Sequence, residues 1–322
     1  MTAPDDGVGR GSRQLGPGPE DLEQDLLVVG LTRNCGAALA SEVQRIAAAL
    51  PPFRRTHWFV VESDSSDDTP AVLESLTRQR PDFRFACLGS LQSSLPQRTE
   101  RLAHCRNAYL EHLRSHPSCG GVRYVLVADL DGGNNRLTAA ALASCWQRQD
   151  WDACTANQVG LYYDVWALRH PLWSPGDCWQ QARFLASLGQ DEERAKMATV
   201  FARMVSLPPD APWLEVESAF GGLALYRAEA LRDVGVRYEG LSPQGEAVCE
   251  HVAMHAALRA RGRRLFINPA LINADSARLA EYWPERQQIE RASRHLLFRA
   301  LLRLFYGKQA SRHLRRLMRS LS

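Results

Sequence analysis

The chain has 322 residues, 45% of them hydrophobic and 23% charged, which is the composition of one large α/β domain or two smaller globular ones. A net charge of only +3 gives no basis for a nucleic-acid partner. The eight cysteines are scattered without a CxxC pair, so the sequence indicates neither a structural zinc site nor a disulfide framework, and a cytoplasmic location is expected.

The first 24 residues are polar, rich in glycine and proline, and lack the apolar segment of a signal peptide. This composition predicts a disordered N-terminal tail. No run approaches the roughly 20 apolar residues that a membrane-spanning helix needs, so no such helix is expected.

Short apolar runs alternate with helical patterns from residue 26 to residue 272, which predicts βα units around a mostly parallel sheet in one catalytic domain over residues 25–290. The weakly patterned stretch 171–215 is predicted to be an insertion or a lid over a site. The predicted strands are 26–32, 56–65, 83–88, 123–132, 152–160, 218–227 and 264–272. The predicted helices are 37–50, the one that follows Asp67 and Asp68, 98–116 and 246–261.

The C-terminal segment 291–322 carries nine arginines and lysines and no acidic residue, with leucines and phenylalanines at helical spacing. This pattern predicts a basic amphipathic helix. Such a helix is suited to peripheral contact with an anionic membrane, here the inner face of the cell membrane. The alternative is that it packs on the domain and exposes its arginines.

Polar residues follow three of the predicted strands. The first strand ends in Thr32-Arg33-Asn34, the second in Glu62-Ser63-Asp64, and the fourth in Asp129-Leu130-Asp131. Ligands of open α/β sheets bind at the carboxyl ends of the strands, so these three groups are expected to share one crevice.

Asp129 and Asp131 place two carboxylates a few Å apart at the mouth of a buried strand. Without a partner they would repel, and one would be driven toward protonation. A divalent cation removes this conflict, and Mn²⁺ or Mg²⁺ prefers such oxygen ligands. Gly132 and Gly133 permit a sharp turn beside a ligand. The alternative interpretation is a solvated turn after a strand.

The segments VVESDSSDDT, RLAHCRN and DLDG, extended by YYDVWALRHP, SAFGGLALYR and CEHV, resemble the GT-A class of glycosyltransferases. Within that class, the sequence is most similar to the fungal capsule-associated α-mannosyltransferases and related bacterial polysaccharide enzymes. The resemblance implies a GT-A (Rossmann-like) fold and a nucleotide-diphosphate sugar donor. It also implies a glycan or lipid-linked acceptor, and Mn²⁺ or Mg²⁺ held by the D-x-D motif.

The resemblance also implies roles for individual residues. Asp129 and Asp131 would hold the metal, and Arg106 would reach the diphosphate, where a guanidinium pairs with two oxygens. The alternatives are a buried, backbone-satisfied acid for Glu62 and a helix-surface salt bridge for Arg106. The side chains expected to line the nucleotide pocket are Thr32, Arg33, Glu62 and Asp64.

A second set of residues would contact the donor sugar or the acceptor. Two consecutive glycines inside a predicted strand, Gly221 and Gly222, suggest close approach by a ligand or by another backbone. For the aromatic residues the alternative is a place in the core. The side chains of this set are Tyr163, Asp164, Trp166 and Arg169.

Glu250 and His251 occupy the place where many GT-A enzymes carry an acid pair. Glu250, like Asp164, is therefore a candidate catalytic residue, acting as the base that deprotonates the acceptor hydroxyl. His251 is a candidate third metal ligand. His255 shares its helix face and is either a further ligand or a structural histidine.

The resulting hypothesis is a metal-dependent glycosyltransferase that moves a hexose, with mannose favoured, from a nucleotide-diphosphate sugar to a hydroxyl in polysaccharide or glycoconjugate assembly. A sugar-nucleotide nucleotidyltransferase is the first alternative, although GLTRNCGAAL is a poor version of the glycine-rich basic loop of those enzymes. A non-catalytic binding module for glycan assembly is the second.

Overall fold

The computed structural model describes residues 16–275, which form an α/β fold around one eight-stranded sheet. The strands are β1 (Asp25–Thr32), β2 (Arg55–Glu62), β3 (Phe83–Cys87), β4 (Val122–Asp129), β5 (Ala153–Val159), β6 (Leu214–Val216), β7 (Leu223–Arg227) and β8 (Leu265–Asp275). Their order in the sheet is β3-β2-β1-β4-β7-β5-β8-β6. Strands β6 and β7 run antiparallel to their neighbours, and the other pairings are parallel.

Helices cover both faces of the sheet. They are α1 (Pro19–Leu22), α2 (Gly36–Ala49), α3 (Thr69–Gln79), α4 (Arg98–Ser115), α5 (Ala139–Ala143), α6 (Cys178–Ser187), α7 (Glu192–Thr199), α8 (Ala228–Arg232) and α9 (Glu250–Arg259). The apolar residues of α2, α3 and α5 pack on one face, and those of α4, α8 and α9 pack on the other.

Strand β1 shows why its sequence is continuously apolar. Leu26 and Val28 enter the core on the α2 side, whereas Leu27 and Val29 enter the core on the α4 side, and all four are fully buried. A strand covered on both faces has no solvent side for polar residues. The predicted α/β architecture with a mostly parallel sheet flanked by helices is therefore confirmed.

Several boundaries differ from the sequence-based expectations. The predicted disordered tail is too long, because α1 lies within it and Asp21 accepts a hydrogen bond from the Tyr124 hydroxyl at 2.5 Å. The strand predicted over 218–227 begins only at Leu223, since Gly221 and Gly222 have φ values of +73° and +82° that a strand does not adopt. Residues 1–15 and the predicted basic helix over 291–322 lie outside the described residues.

The segment 171–215 is part of the same fold. Helices α6 and α7 are followed by a 3-10 turn, Phe201–Arg203, and then by β6, which pairs with β8. Arg203 donates to the Gly176 carbonyl at 2.6 Å and accepts, through its own carbonyl, the Trp173 indole N–H at 2.7 Å. Within residues 16–275, no helix combines the length and apolarity that crossing a membrane requires.

The fold holds the turn after β4 through one buried carboxylate on α2. Glu42 is fully buried, and its Oε1 accepts hydrogen bonds from the Asn134 backbone N–H at 3.0 Å and from its Nδ2 at 2.7 Å. Glu42→Ala leaves the Asn134 backbone N–H without an acceptor and removes one of the two acceptors of its Nδ2, so it should lower the free energy of unfolding by about 2–3 kcal/mol. Urea denaturation measures this loss. The exposed neighbour Gln44 is the matched control, and Gln44→Ala should stay within about 0.5 kcal/mol of wild type. Equal losses in the two variants would contradict the assignment.

Candidate active site

A cleft of about 400 Å³ lies where the sequence placed it, at the carboxyl ends of β1, β2 and β4. Its walls are completed by residues of α4, by the segment after β5 and by the start of α9. No described residue of 171–215 lines it, and the role of that segment as an insertion or a lid stays a prediction. The predicted site residues that line the cleft are Thr32, Arg33, Asp64, Arg106, Asp129, Asp131, Tyr163, Asp164, Trp166, Gly222, Glu250 and His251.

Arg106 lies between two acids at the base of the cleft. Its Nε donates to Glu250 Oε1 at 2.9 Å, and its Nη2 donates to Asp129 Oδ1 at 3.1 Å. Arg106 is 3% exposed, and its guanidinium carbon lies 5.1 Å from the centre of the Phe220 ring. Two carboxylates thus already engage this charge, while Nη1 has no hydrogen-bond partner among the described residues, and the contact of Arg106 with a diphosphate stays a prediction.

Asp129 is electrostatically the most perturbed acid of the cleft. Burial raises the pKa of its carboxyl to about 6, and the charges of Asp131 and Asp164 act in the same direction. Arg106 opposes this shift without cancelling it. The cleft thus holds more negative charge than its one buried arginine neutralises.

The turn after Asp129 presents Asp131 to the cleft. Asp131 Oδ1 accepts the backbone N–H of Gly133 at 3.0 Å, and Gly132 has a φ of +88°. Asn134 holds the turn from behind, since its Nδ2 donates to the Asp129 carbonyl at 2.8 Å. Asn134 and its partner Glu42 were not identified from the sequence. Glu42 lies 92 positions from Asn134, and only the buried acid on an otherwise apolar helix face hints at a role.

The loop ESDSSDDT is mainly a scaffold. Asp67 accepts hydrogen bonds from the backbone N–H groups of Gly36 and Thr69, both at 3.0 Å. Asp64 lines the cleft, but its Oδ1 accepts the backbone N–H groups of Leu91 and Gln92, both at 2.9 Å, and these bonds hold the pKa of its carboxyl below the usual value against the effect of burial. Its backbone lies in the left-handed region, at a φ of +58°.

Three residues of the predicted site do not line the cleft, and the structure gives them internal partners, which agrees with the alternatives stated for Glu62 and Gly221. Glu62 is buried and its Oε1 accepts the Ser65 backbone N–H at 2.9 Å. Arg169 donates to the Trp166 carbonyl at 2.9 Å and to Asp177 Oδ2 at 3.2 Å. At Gly221 a Cβ would lie 2.7 Å from Gln158 Nε2, so the close approach comes from the protein itself.

Asp164 and Tyr163 form the opposite wall. Asp164 Oδ2 accepts the Gly221 backbone N–H at 2.9 Å, and burial, reinforced by the charge of Glu250, raises the pKa of the carboxyl. At Gly222 a Cβ would lie 2.9 Å from the Tyr163 hydroxyl, so only glycine leaves this wall open. Trp166 lines the cleft, and its indole N–H donates to Asp177 Oδ2 at 2.8 Å.

The two histidines of α9 differ in their surroundings. His251 lines the cleft, and neither of its buried ring nitrogens has a hydrogen-bond partner. Its ring stacks on Phe220 at 4.0 Å, and burial holds its pKa well below the usual value. His255 is structural: its Nδ1 lies 2.9 Å from Ser218 Oγ and its Nε2 lies 2.8 Å from the Tyr226 hydroxyl.

A preassembled metal site of Asp129, Asp131 and His251 is not present. Among the described residues, only His112, His116 and Cys119, outside the cleft, bring three ligand atoms within 4.8 Å of one another. The two carboxylates nevertheless fit a hard cation, since Asp131 is exposed and 38% of the Asp129 side chain is open to solvent. Water and a phosphorylated ligand would have to supply the remaining oxygens.

No protein family model and no curated protein sequence matches the chain. Similar solved structures include the mannosyltransferase PcManGT from Pyrobaculum calidifontis in complex with GDP-Man and Mn²⁺, at 16% identity over 85% of this chain and 63% of that chain, with a TM-score of 0.45. S. aureus TarS 1–349 is 13% identical over 85% of this chain and 66% of that chain, with a TM-score of 0.44. The glucosyl-3-phosphoglycerate synthase from Mycobacterium tuberculosis in complex with UDP is 13% identical over 81% of this chain and 74% of that chain, with a TM-score of 0.37. The chain thus spans slightly less than two thirds of the first two structures.

The raised pKa of Asp129 has a consequence for stability. Its carboxylate is less favourable in the folded chain than in the unfolded chain, so a penalty is absent below the unfolded pKa of 3.8 and complete above about 6. Asp129→Asn should therefore have a higher Tm than wild type above pH 6 in EDTA, and the gain should fade toward pH 4. Asp150 is the control of opposite sign, because hydrogen bonding to Arg148 lowers its pKa, so Asp150→Asn should lower Tm at neutral pH. A pH-independent effect of Asp129→Asn would contradict the shift.

Proposed function

We propose that this protein is a metal-dependent glycosyltransferase that uses a nucleotide-diphosphate sugar. The observation that carries the proposal is the pair Asp129 and Asp131, open to one cleft. Among the described residues that line this cleft, the one buried arginine, Arg106, is already shared between two acids. Such a surplus of carboxylate oxygen fits a divalent cation that is itself completed by substrate phosphates.

The metal-binding residues in this proposal are Asp129 and Asp131, with Mn²⁺ or Mg²⁺ as the ion. When bound, the cation would stabilise the negative charge of the departing nucleoside diphosphate. His251 presents unpartnered ring nitrogens to the same cleft, and its lowered pKa keeps it neutral. We therefore assign it to contact with the metal or the donor and not to proton transfer.

The donor phosphates need cationic partners other than Arg106. Arg33 and Arg98 also line the cleft, and both are exposed. Arg98 is the first residue of α4, where the helix dipole adds to its positive charge. These two arginines take over the diphosphate role that the sequence assigned to Arg106.

Asp164 is the better placed of the two candidate bases. Glu250 is held by Arg106, so its carboxylate orients the guanidinium. Asp164 lines the cleft, and its raised pKa brings it closer to neutral pH, where a general base works most effectively. It would take the proton of the acceptor hydroxyl as that oxygen attacks the anomeric carbon.

The finer substrate assignment rests on the sequence resemblance. It favours a hexose, with mannose from GDP-mannose as the first donor to test, and a glycan or lipid-linked acceptor in polysaccharide or glycoconjugate assembly. Peripheral contact with the inner face of the membrane stays a prediction, because residues 291–322 lie outside the described part of the chain.

The loop after β1 argues against the nucleotidyltransferase alternative. Such an enzyme needs free backbone N–H groups in this loop to bind triphosphate oxygens. Here the Cys35 N–H donates to Thr69 Oγ1 at 2.8 Å and the Gly36 N–H donates to Asp67 at 3.0 Å. These backbone N–H groups are therefore already hydrogen-bonded within the protein.

Metal-dependent donor binding is the first test. With Mn²⁺, one member of a panel of GDP, UDP, CDP and their sugars should raise Tm, and EDTA should abolish the shift. Asp131→Ala should weaken binding by about tenfold or more, because it removes a carboxylate ligand. Asp210→Ala, which removes an exposed acid outside the cleft, should bind like wild type. Absence of metal-dependent binding across the panel would refute the proposal, and binding without transfer or hydrolysis would favour the non-catalytic module.

The assignment of the base is tested by kinetics. Asp164→Asn should lower kcat by about 10²–10⁴-fold while KM for the donor changes little, since proton transfer is lost but the cation and arginines remain. Initial rates at saturating donor measure this. Glu250→Gln tests the orienting role of Glu250 under the same conditions. If Asp164→Asn keeps its kcat and Glu250→Gln loses it, the two roles are reversed.

A further inference from the structure

Two imidazoles and one thiol, which are soft or borderline metal ligands, lie close together at the C-terminal end of α4, outside the cleft. Ligand atoms of His112, His116 and Cys119 lie within 4.8 Å of one another. None of the three lines the cleft. Both imidazoles are partly exposed, whereas the Cys119 thiol is fully buried. An ion could therefore reach the group from solvent and be held against a buried sulfur.

Local structure dictates this convergence. His112 and His116 are four residues apart, which places them one turn apart on the same helix face. Pro117 then begins a 3-10 turn that ends at Cys119 and brings the thiol back toward the imidazoles. The spacing is His-x3-His-x2-Cys.

The surrounding contacts fix the two imidazoles. The His112 ring stacks in parallel on Phe59 at 3.9 Å and on the His116 ring at 4.5 Å. His116 Nδ1 lies 2.8 Å from Ser118 Oγ, which leaves its Nε2 for another partner. Within residues 16–275, neither imidazole forms an ion pair with a carboxylate, so the pair is not arranged as a charged histidine switch.

Metal binding at this group would release a proton from the buried Cys119 thiol. Burial raises the pKa of this thiol, although Arg232 and Arg84 act in the opposite direction. Neutral imidazole and thiolate are the forms that bind a metal.

We propose that His112, His116 and Cys119 form a second metal site, selective for a borderline-soft divalent ion such as Zn²⁺, with water as the fourth ligand. Imidazole and thiolate favour Zn²⁺ over Mn²⁺ and Mg²⁺, which prefer the oxygen ligands of the cleft. Ligand atoms around a tetrahedral zinc are about 3.5 Å apart, so side-chain adjustments of about 1 Å would close the site. This inference does not depend on the proposed function.

The site would tie together two elements that supply the cleft. His112 and His116 belong to the last turn of α4 and its C-cap, and Cys119 precedes β4 by three residues. Helix α4 carries Arg106 and strand β4 ends in Asp129. A bound ion would therefore clamp the connection between these elements. No structural zinc site was expected from the sequence, because it lacks a CxxC pair. That criterion does not cover the His-x3-His-x2-Cys spacing found here.

Cobalt absorption tests the site, because Co²⁺ replaces Zn²⁺ and reports directly on a cysteine ligand. Titration of the metal-free full chain should give a thiolate-to-Co²⁺ charge-transfer band and tetrahedral d–d bands that saturate at one equivalent. Added Zn²⁺ should displace both signals. Cys119→Ser should remove the charge-transfer band, and His112→Gln should weaken Co²⁺ binding by at least tenfold. Cys87→Ala, which removes an exposed cysteine outside the group, should retain the full spectrum.

The proposal is overturned if wild type gives no charge-transfer band, or if the band persists in Cys119→Ser. Should Cys119→Ser fail to fold by circular dichroism, His112→Gln alone decides, since this partly exposed position tolerates a polar replacement. An unchanged Co²⁺ affinity in folded His112→Gln would then refute the site. A band that disappears only in Cys105→Ser or Cys249→Ser would assign the metal to the cleft instead.

Discussion

The cleft depends on one buried guanidinium. Arg106 reaches from α4 to Glu250, 144 positions away on α9, and to Asp129, 23 positions away at the end of β4. In the pair of Arg106 with Glu250 both side chains are buried, and removing one partner of such a pair typically costs about 3–5 kcal/mol, because the other charge is left without compensation. The guanidinium thus holds α4, α9 and the end of β4, which come from separate parts of the chain, at fixed relative positions. These three elements supply walls of the cleft.

The same interaction leaves the base of the cleft short of positive charge, although Arg33, Arg98 and Arg101 also line its walls. One arginine faces Asp129 and Glu250, while Asp131 and Asp164 add further carboxylates to the walls. Burial raises the pKa values of Asp129 and Asp164, and the charges of neighbouring carboxylates act in the same direction. We propose that a divalent cation and a diphosphate bind together and balance these carboxylates. Without them, the clustered acids lower the stability of the folded protein, which is the cost of keeping these acids available for the reaction.

Much of this arrangement was predictable because it follows from local patterns. Buried strands and the rule that parallel strands end at one edge placed Asp129, Asp131, Asp64 and Thr32 in one cleft. Partners that come from distant parts of the chain were not predictable. The sequence contains no signal that Arg106 forms ion pairs with Glu250 and Asp129, or that Arg169 forms one with Asp177. Likewise, the two consecutive glycines looked like one site, but a Cβ at Gly221 would meet Gln158 and a Cβ at Gly222 would meet Tyr163.

The decisive experiment is a crystal structure with Mn²⁺ and a nucleoside diphosphate, in which anomalous scattering at the manganese edge locates the ion. We expect one anomalous peak in the cleft, within coordination distance of Asp129 or Asp131 and of the diphosphate oxygens, with Arg106 still joined to Glu250. A diphosphate bound directly by Arg106, or a manganese peak away from both aspartates, would contradict it.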